Sequence, residues 1–93
     1  MATVHLPNSV IAEIEELGEE IAKDNPAAAF DLMDRIYERC ASLDEQPARG
    51  ALYSDHYRRV FVDPYQIIYQ IDGDDVYILT VRHMSRTAPI LPS

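Results

Sequence analysis

The chain has 93 residues, 47% of them hydrophobic and 26% charged, and a formal net charge of -8. That suffices for one small hydrophobic core and not for two, so a single domain over residues 1–93 is expected. One cysteine excludes an internal disulfide, and no apolar run approaches the roughly 20 residues that span a bilayer.

The N-terminus MATVHLPNSV also lacks the basic start and apolar stretch of a signal peptide, so the expected compartment is the cytoplasm, with no membrane contact. The charge is uneven. Residues 1–48 hold eleven acidic side chains against Lys23, Arg35 and Arg39, whereas residues 49–93 balance five Asp against five Arg. Affinity for nucleic acid grows with the number of Lys and Arg contacts to phosphate, so DNA or RNA is disfavoured as the main ligand.

In chain order, ATVHL at 2–6 reads as a short strand ended by Pro7. Asn8 or Ser9 is the expected cap of a helix, with Glu13 and further acids toward its positive end. Val10, Ile14, Leu17 and Ile21 form its apolar stripe, and Glu13, Glu15, Glu16, Glu19 and Glu20 read as a solvated face. DNPAAA at 24–29 stops that helix and starts another, with Asp24 or Asn25 capping and Pro26 in the first position. Phe30, Met33, Ile36, Tyr37, Cys40 and Leu43 repeat at helical spacing, which predicts an antiparallel helical hairpin with Cys40 as a small core residue. Pro47 and Gly50 break the pattern.

From about residue 53 the period changes to two. YRRVFV (57–62), YQIIYQI (65–71) and VYILTVRH (76–83), joined by Asp63-Pro64 and by DGDD at 72–75, predict a three-stranded meander. Tyr65, Ile67, Tyr69 and Ile71 share one predicted face. Along the last strand Tyr77, Leu79 and Val81 alternate with Val76, Ile78 and Thr80. The expected fold is therefore α+β, in the order β-α-α-β-β-β, with a helical hairpin on one face of a small, mainly antiparallel sheet and the other face partly open. The tail at 84–93, with two prolines, reads as irregular.

Chemistry is sparse. There is no CxxC, HExxH, glycine-rich phosphate loop or nucleophile elbow. His5, His56 and His83 lie on separate segments without ligand spacing, and Asp72, Asp74 and Asp75 suit a hairpin turn better than a calcium loop. No metal and no cofactor are expected.

Several strings, taken in order, resemble the RelE/ParE superfamily of bacterial toxin–antitoxin toxins: A-E-I-E-E-L at 12–17, D-N-P-A-A-A at 24–29, L-x3-P-x2-G from Leu43 through Pro47 to Gly50, Y-x3-Y at 65–69, and V-x-I-L-x-V-x-H-x2-R at 76–86. The superfamily joins RelE-like ribosome-dependent mRNA endonucleases to ParE-like toxins that act on DNA gyrase. Cleavage of RNA by its own 2′-hydroxyl needs a base, an acid and cations on the phosphate. RelE-like nucleases resemble one another in an R-hydrophobic-hydrophobic-Y string; here that string is Q-I-I-Y at 66–69, and Gln66 supplies no charge.

The resemblance thus implies a ParE-like toxin without catalytic residues, inhibiting gyrase and replication and neutralised by a ParD-like antitoxin in a heterotetramer or larger complex, with DNA reached only through the antitoxin. By analogy His83, Arg86 and Arg82 would meet gyrase. Tyr37, Tyr57, Arg58, Arg59, Tyr65 and Tyr69 are the candidates for antitoxin contact, since Tyr and Arg dominate interface energetics. The alternatives are a RelE-like nuclease and a non-toxic interaction module of the same fold.

Overall fold

The computed structural model describes residues 1–85. Arg86 and the rest of the expected irregular tail lie outside them, while Met84 and Ser85 form a turn.

Strand β1 (Thr3–His5) leads through Pro7 into α1 (Asn8–Ala22). Neither Asn8 nor Ser9 caps this helix, because both already lie within it. Extended Pro7 holds the capping position, and its carbonyl accepts the N–H groups of Val10 and Ile11 at 3.0 and 3.1 Å. The first turn also carries no acid, contrary to the expected dipole pairing.

The second helix, α2 (Pro26–Ala41), starts as expected: Asn25 Oδ1 accepts the Ala28 N–H at 3.1 Å and Pro26 takes the first position. Its buried stripe is Ala29, Leu32, Ile36 and Cys40, while Phe30 is 71% exposed. Two stripes one residue apart fit the same spacing, and the one beginning at small Ala29 faces the sheet. Met33 and Tyr37 pack at its margin, with the Met33 thioether in the space that a Cβ on Gly18 would need.

Single turns at Ser42–Asp44 and Pro47–Arg49 lead to the sheet strands β2 (Ala51–Leu52), β3 (Arg58–Val62), β4 (Tyr65–Asp72) and β5 (Asp75–His83). The sheet order is β1-β5-β4-β3-β2, antiparallel except for the parallel β1–β5 pair. The expected meander therefore gains β2, whose two residues are both exposed and give no periodic signal. Gly73, at φ +60, takes the first place of the two-residue β4–β5 turn, a backbone that a side chain would strain.

Both helices cover one sheet face, α1 against β5 and α2 against β3. The core between them joins Val10, Ile14, Leu32, Ile36 and Leu43 to Val60, Val62, Ile67, Tyr69, Val76, Ile78 and Val81. One bulge disturbs the alternation. Ile68 pairs with Thr80 but Tyr69 pairs with Ile78, so Leu79 has no opposite number. Val81 consequently joins Val76 and Ile78 on the helix side, not Tyr77 and Leu79 as strict alternation predicts.

Candidate functional site

Strand β1 covers only the first part of β5, pairing Thr3–His5 with residues 75–77. Past the bulge no strand among the described residues neighbours the outer edge of β5, and an unpaired edge N–H is a strong donor that requires a partner. Glu13 provides one from α1. One carboxylate oxygen accepts the Val81 N–H at 3.3 Å and the other accepts the Thr80 hydroxyl at 2.8 Å. The Thr80 oxygen in turn accepts Arg82 Nε–H at 3.3 Å. A side chain thus stands where a strand would otherwise pair.

Beside this contact lies a cleft of about 570 Å³. Leu17, Tyr65 and Val81 give it apolar lining; Glu13, Glu16 and Glu20 stand on the α1 side, with Arg82, His83 and Ser85 on the strand side. His83 is opposite Tyr65 in the ladder and meets its ring edge-on, with centroids 5.4 Å apart. The Ser85 N–H donates to His83 Nδ1 at 3.1 Å and the Ser85 hydroxyl lies 2.7 Å from the same atom. An acceptor Nδ1 puts the ring proton on Nε2.

The structure therefore gathers Arg82, His83 and Tyr65 at one place. Of the other sequence candidates, Tyr57 (7% exposed) and Tyr69 (0%) are core residues and drop out as surface anchors. The Tyr69 hydroxyl donates to the Pro47 carbonyl at 2.7 Å and accepts the Gly50 N–H at 3.0 Å. Burial is the first cause that raises its pKa above the usual tyrosine value. A Cβ on Gly50 would stand 2.5 Å from that hydroxyl and 2.7 Å from the Arg59 carbonyl, so the L-x3-P-x2-G string encloses a phenol. Arg58 is tied to the same loop, donating to the carbonyls of Gly50 (2.9 Å) and Ala48 (3.3 Å).

Tyr37 is half-buried on α2, and burial, followed by the Glu15 charge, raises its pKa. Arg59 lies on the sheet face opposite the helices, between the Tyr53 and Phe61 rings, and donates to Gln66 Oε1 at 3.2 Å. Gln66, directly across from Arg82 in the ladder, is only 5% exposed.

Sequence reasoning assigned Glu13, Glu16 and Glu20 to a solvated face and missed their place in the cleft. The available signal was spacing: Glu13, Leu17 and Glu20 recur at four and three residues, beside the apolar stripe. No group of three His, Cys, Asp or Glu side chains among the described residues could hold a metal ion. Likewise no described helix is long and apolar enough to cross a membrane. Three carboxylates thus stand across the cleft from one guanidinium and one imidazole.

A family model described as the ParE toxin of the type II toxin–antitoxin system parDE matches residues 4–88. The protein named Toxin RelE2 of Caulobacter vibrioides is 32% identical over 87 residues, covering 92% of this chain and 99% of its own length. Among solved structures, the chromosomal ParDE toxin–antitoxin system from P. aeruginosa superposes with a TM-score of 0.76, covering 89% of this chain and 96% of that one. At 16% identity this last likeness is one of fold.

Proposed function

The chain belongs to the ParE family of type II toxin–antitoxin toxins, and from that premise we propose that it acts in the cytoplasm by binding DNA gyrase and blocking replication, and that a ParD-like antitoxin neutralises it by direct contact in a heterotetramer or larger complex. The observation carrying this reading is Gln66. Its side chain accepts a hydrogen bond from Arg59 across from Arg82, at the position where the resembling nucleases place an arginine. A neutral amide there can donate a hydrogen bond but brings no positive charge to the phosphate of a cleaved phosphodiester.

In this reading Arg82 and His83 contact gyrase from the end of β5, together with Arg86 beyond the described residues. Tyr37, Tyr65, Arg58 and Arg59 remain the antitoxin candidates, and DNA is reached only through the antitoxin. A second reading, the ribosome-dependent mRNA endonuclease, draws support from the name of the Caulobacter relative and from the half-buried imidazole of His83 at the cleft.

Induced expression separates the two readings. The gyrase reading expects inhibited supercoiling and an SOS response with intact mRNA, and both effects weakened by a His83→Ala, Arg82→Ala double substitution. Translation-dependent mRNA cleavage with normal supercoiling would replace it with the nuclease reading.

A further inference from the structure

The sheet face away from the helices is not bare. Ile68 is fully buried yet lies outside the helix-side core, and Gln66 and Thr80 are each 5% exposed. Ladder partners share a face, so Phe61, Gln66 and Arg82 form one row across β3, β4 and β5, and Arg59, Ile68 and Thr80 the next. The Arg59 guanidinium is braced by the Tyr53 ring at 5.4 Å and the Phe61 ring at 5.2 Å, and one of its terminal nitrogens donates to Gln66. Its Nε is buried without a hydrogen-bond partner among the described residues.

Neither Arg59 nor Arg82 has a carboxylate within ion-pair distance among the described residues, although the protein carries twice as many acids as bases. A guanidinium held beside two rings and hydrogen-bonded to Gln66 has already lost part of the rotamer freedom that binding would otherwise cost. Its planar fork matches an oxyanion with two coplanar oxygens. The size of the patch decides which oxyanion. Two guanidiniums on a chain of charge -8 are too few for a polyphosphate backbone, whose affinity accumulates over many contacts. A single carboxylate asks for no more than two.

We propose that Arg59, braced by Tyr53 and Phe61 and backed by Gln66, forms with Arg82 a clasp for one Asp or Glu side chain of an acidic partner segment lying across this face. It joins into one site two residues that the toxin reading assigns separately, Arg59 to the antitoxin and Arg82 to gyrase, and rests on that reading only for the nature of the partner. Gln66 then has a use other than the missing charge: its amide oxygen orients the Arg59 fork, and its NH2 group adds a donor beside the bound carboxylate.

The test is an NMR titration of the ¹⁵N-labelled full chain with a blocked tetrapeptide, acetyl-Leu-Glu-Asp-Leu-amide, and with its Gln/Asn counterpart. The acidic peptide is expected to shift the Arg59 Nε–H and Gln66 side-chain amide signals, and the neutral peptide to leave them in place. Arg59→Lys keeps charge but loses the fork, and Arg82→Gln removes the second cation without disturbing the brace; each is expected to weaken binding about tenfold or more. Thermal melts establish that both variants are folded.

Equal shifts with the neutral peptide, no shift with either, or undiminished binding by both variants would overturn the clasp. A dinucleoside monophosphate that moves the same signals at lower concentration would also overturn it, by making the site one for phosphodiesters. Because the titration uses neither gyrase nor antitoxin, its failure leaves the toxin reading standing, and a failed supercoiling assay leaves the clasp standing.

Discussion

The two flanks of the helix–sheet layer are closed by different chemistry. Under α2 and β3, the Tyr69 hydroxyl sits between the Gly50 N–H and the Pro47 carbonyl, and Arg58 ties down two more carbonyls of the same loop. Under α1 and β5, one carboxylate from Glu13 holds the strand edge and a cleft remains beside it. The first flank has its polar groups satisfied from within. The second is held by a single carboxylate, at 2.8 Å from Thr80 and 3.3 Å from Val81, beside an open cleft.

The contrast predicts a graded response. Tyr69→Phe keeps the ring but strips the Gly50 N–H and the Pro47 carbonyl of their shared partner. One buried N–H and one partly buried carbonyl left without their partner cost about 3 kcal/mol together, a fall in Tm of roughly 15 °C for a domain of this size by calorimetry. A loss under about 1 kcal/mol would show that water reaches the 47–50 loop and that the flank is not closed.

The same flank hides Cys40, whose thiol is pushed up to about 12 from 9.0 by burial. The unfolded chain releases this proton first, so between about pH 9 and pH 12 the unfolded state binds fewer protons and stability falls as pH rises. Urea midpoints are expected to drop by the equivalent of about 2 kcal/mol between pH 8 and pH 10.5. Cys40→Ala should lessen that slope while lowering stability at neutral pH.

On the open flank the effect is smallest. Glu13→Ala is expected to cost about 1 kcal/mol, since the Val81 contact is long and the cleft admits water to replace it. Hydrogen exchange gives the sharper reading: the Val81 amide should exchange faster in the variant, while amides of the closed flank stay protected. Protection at Val81 that survives the substitution would make the two flanks equivalent.

Much of the architecture was legible because its signals are local. Asn25 and Pro26 announce α2, Gly73 marks the last hairpin, and the switch of period near residue 53 separates helices from sheet. What escaped depends on contacts distant in sequence. Phe30 and Ala29 fit the same helical spacing, and only the position of the sheet selects between them. Tyr57 and Tyr69 read as interface candidates because composition does not reveal an enclosing loop. Their fellow candidate Tyr65, on the same strand face as Tyr69, borders the cleft instead. The cleft itself was half visible: Arg82 and His83 stood out at the end of an apolar strand, but their carboxylate wall comes from a helix 67 positions away, as the Glu13–Thr80 bond measures.

The bulge in β5 makes Leu79, in ladder terms, a spare residue. With it present, Val76, Ile78, Val81 and His83 all face the helices. Removing it would leave an unbroken ladder in which the same four residues keep that face and Arg82 keeps the other. Deleting Val81 instead would pair Thr80 where Val81 stood and send a hydroxyl into the core. The strand is thus tolerant of a one-residue change of length at one position and intolerant two positions later, which tells an aligner of distant relatives where a gap belongs.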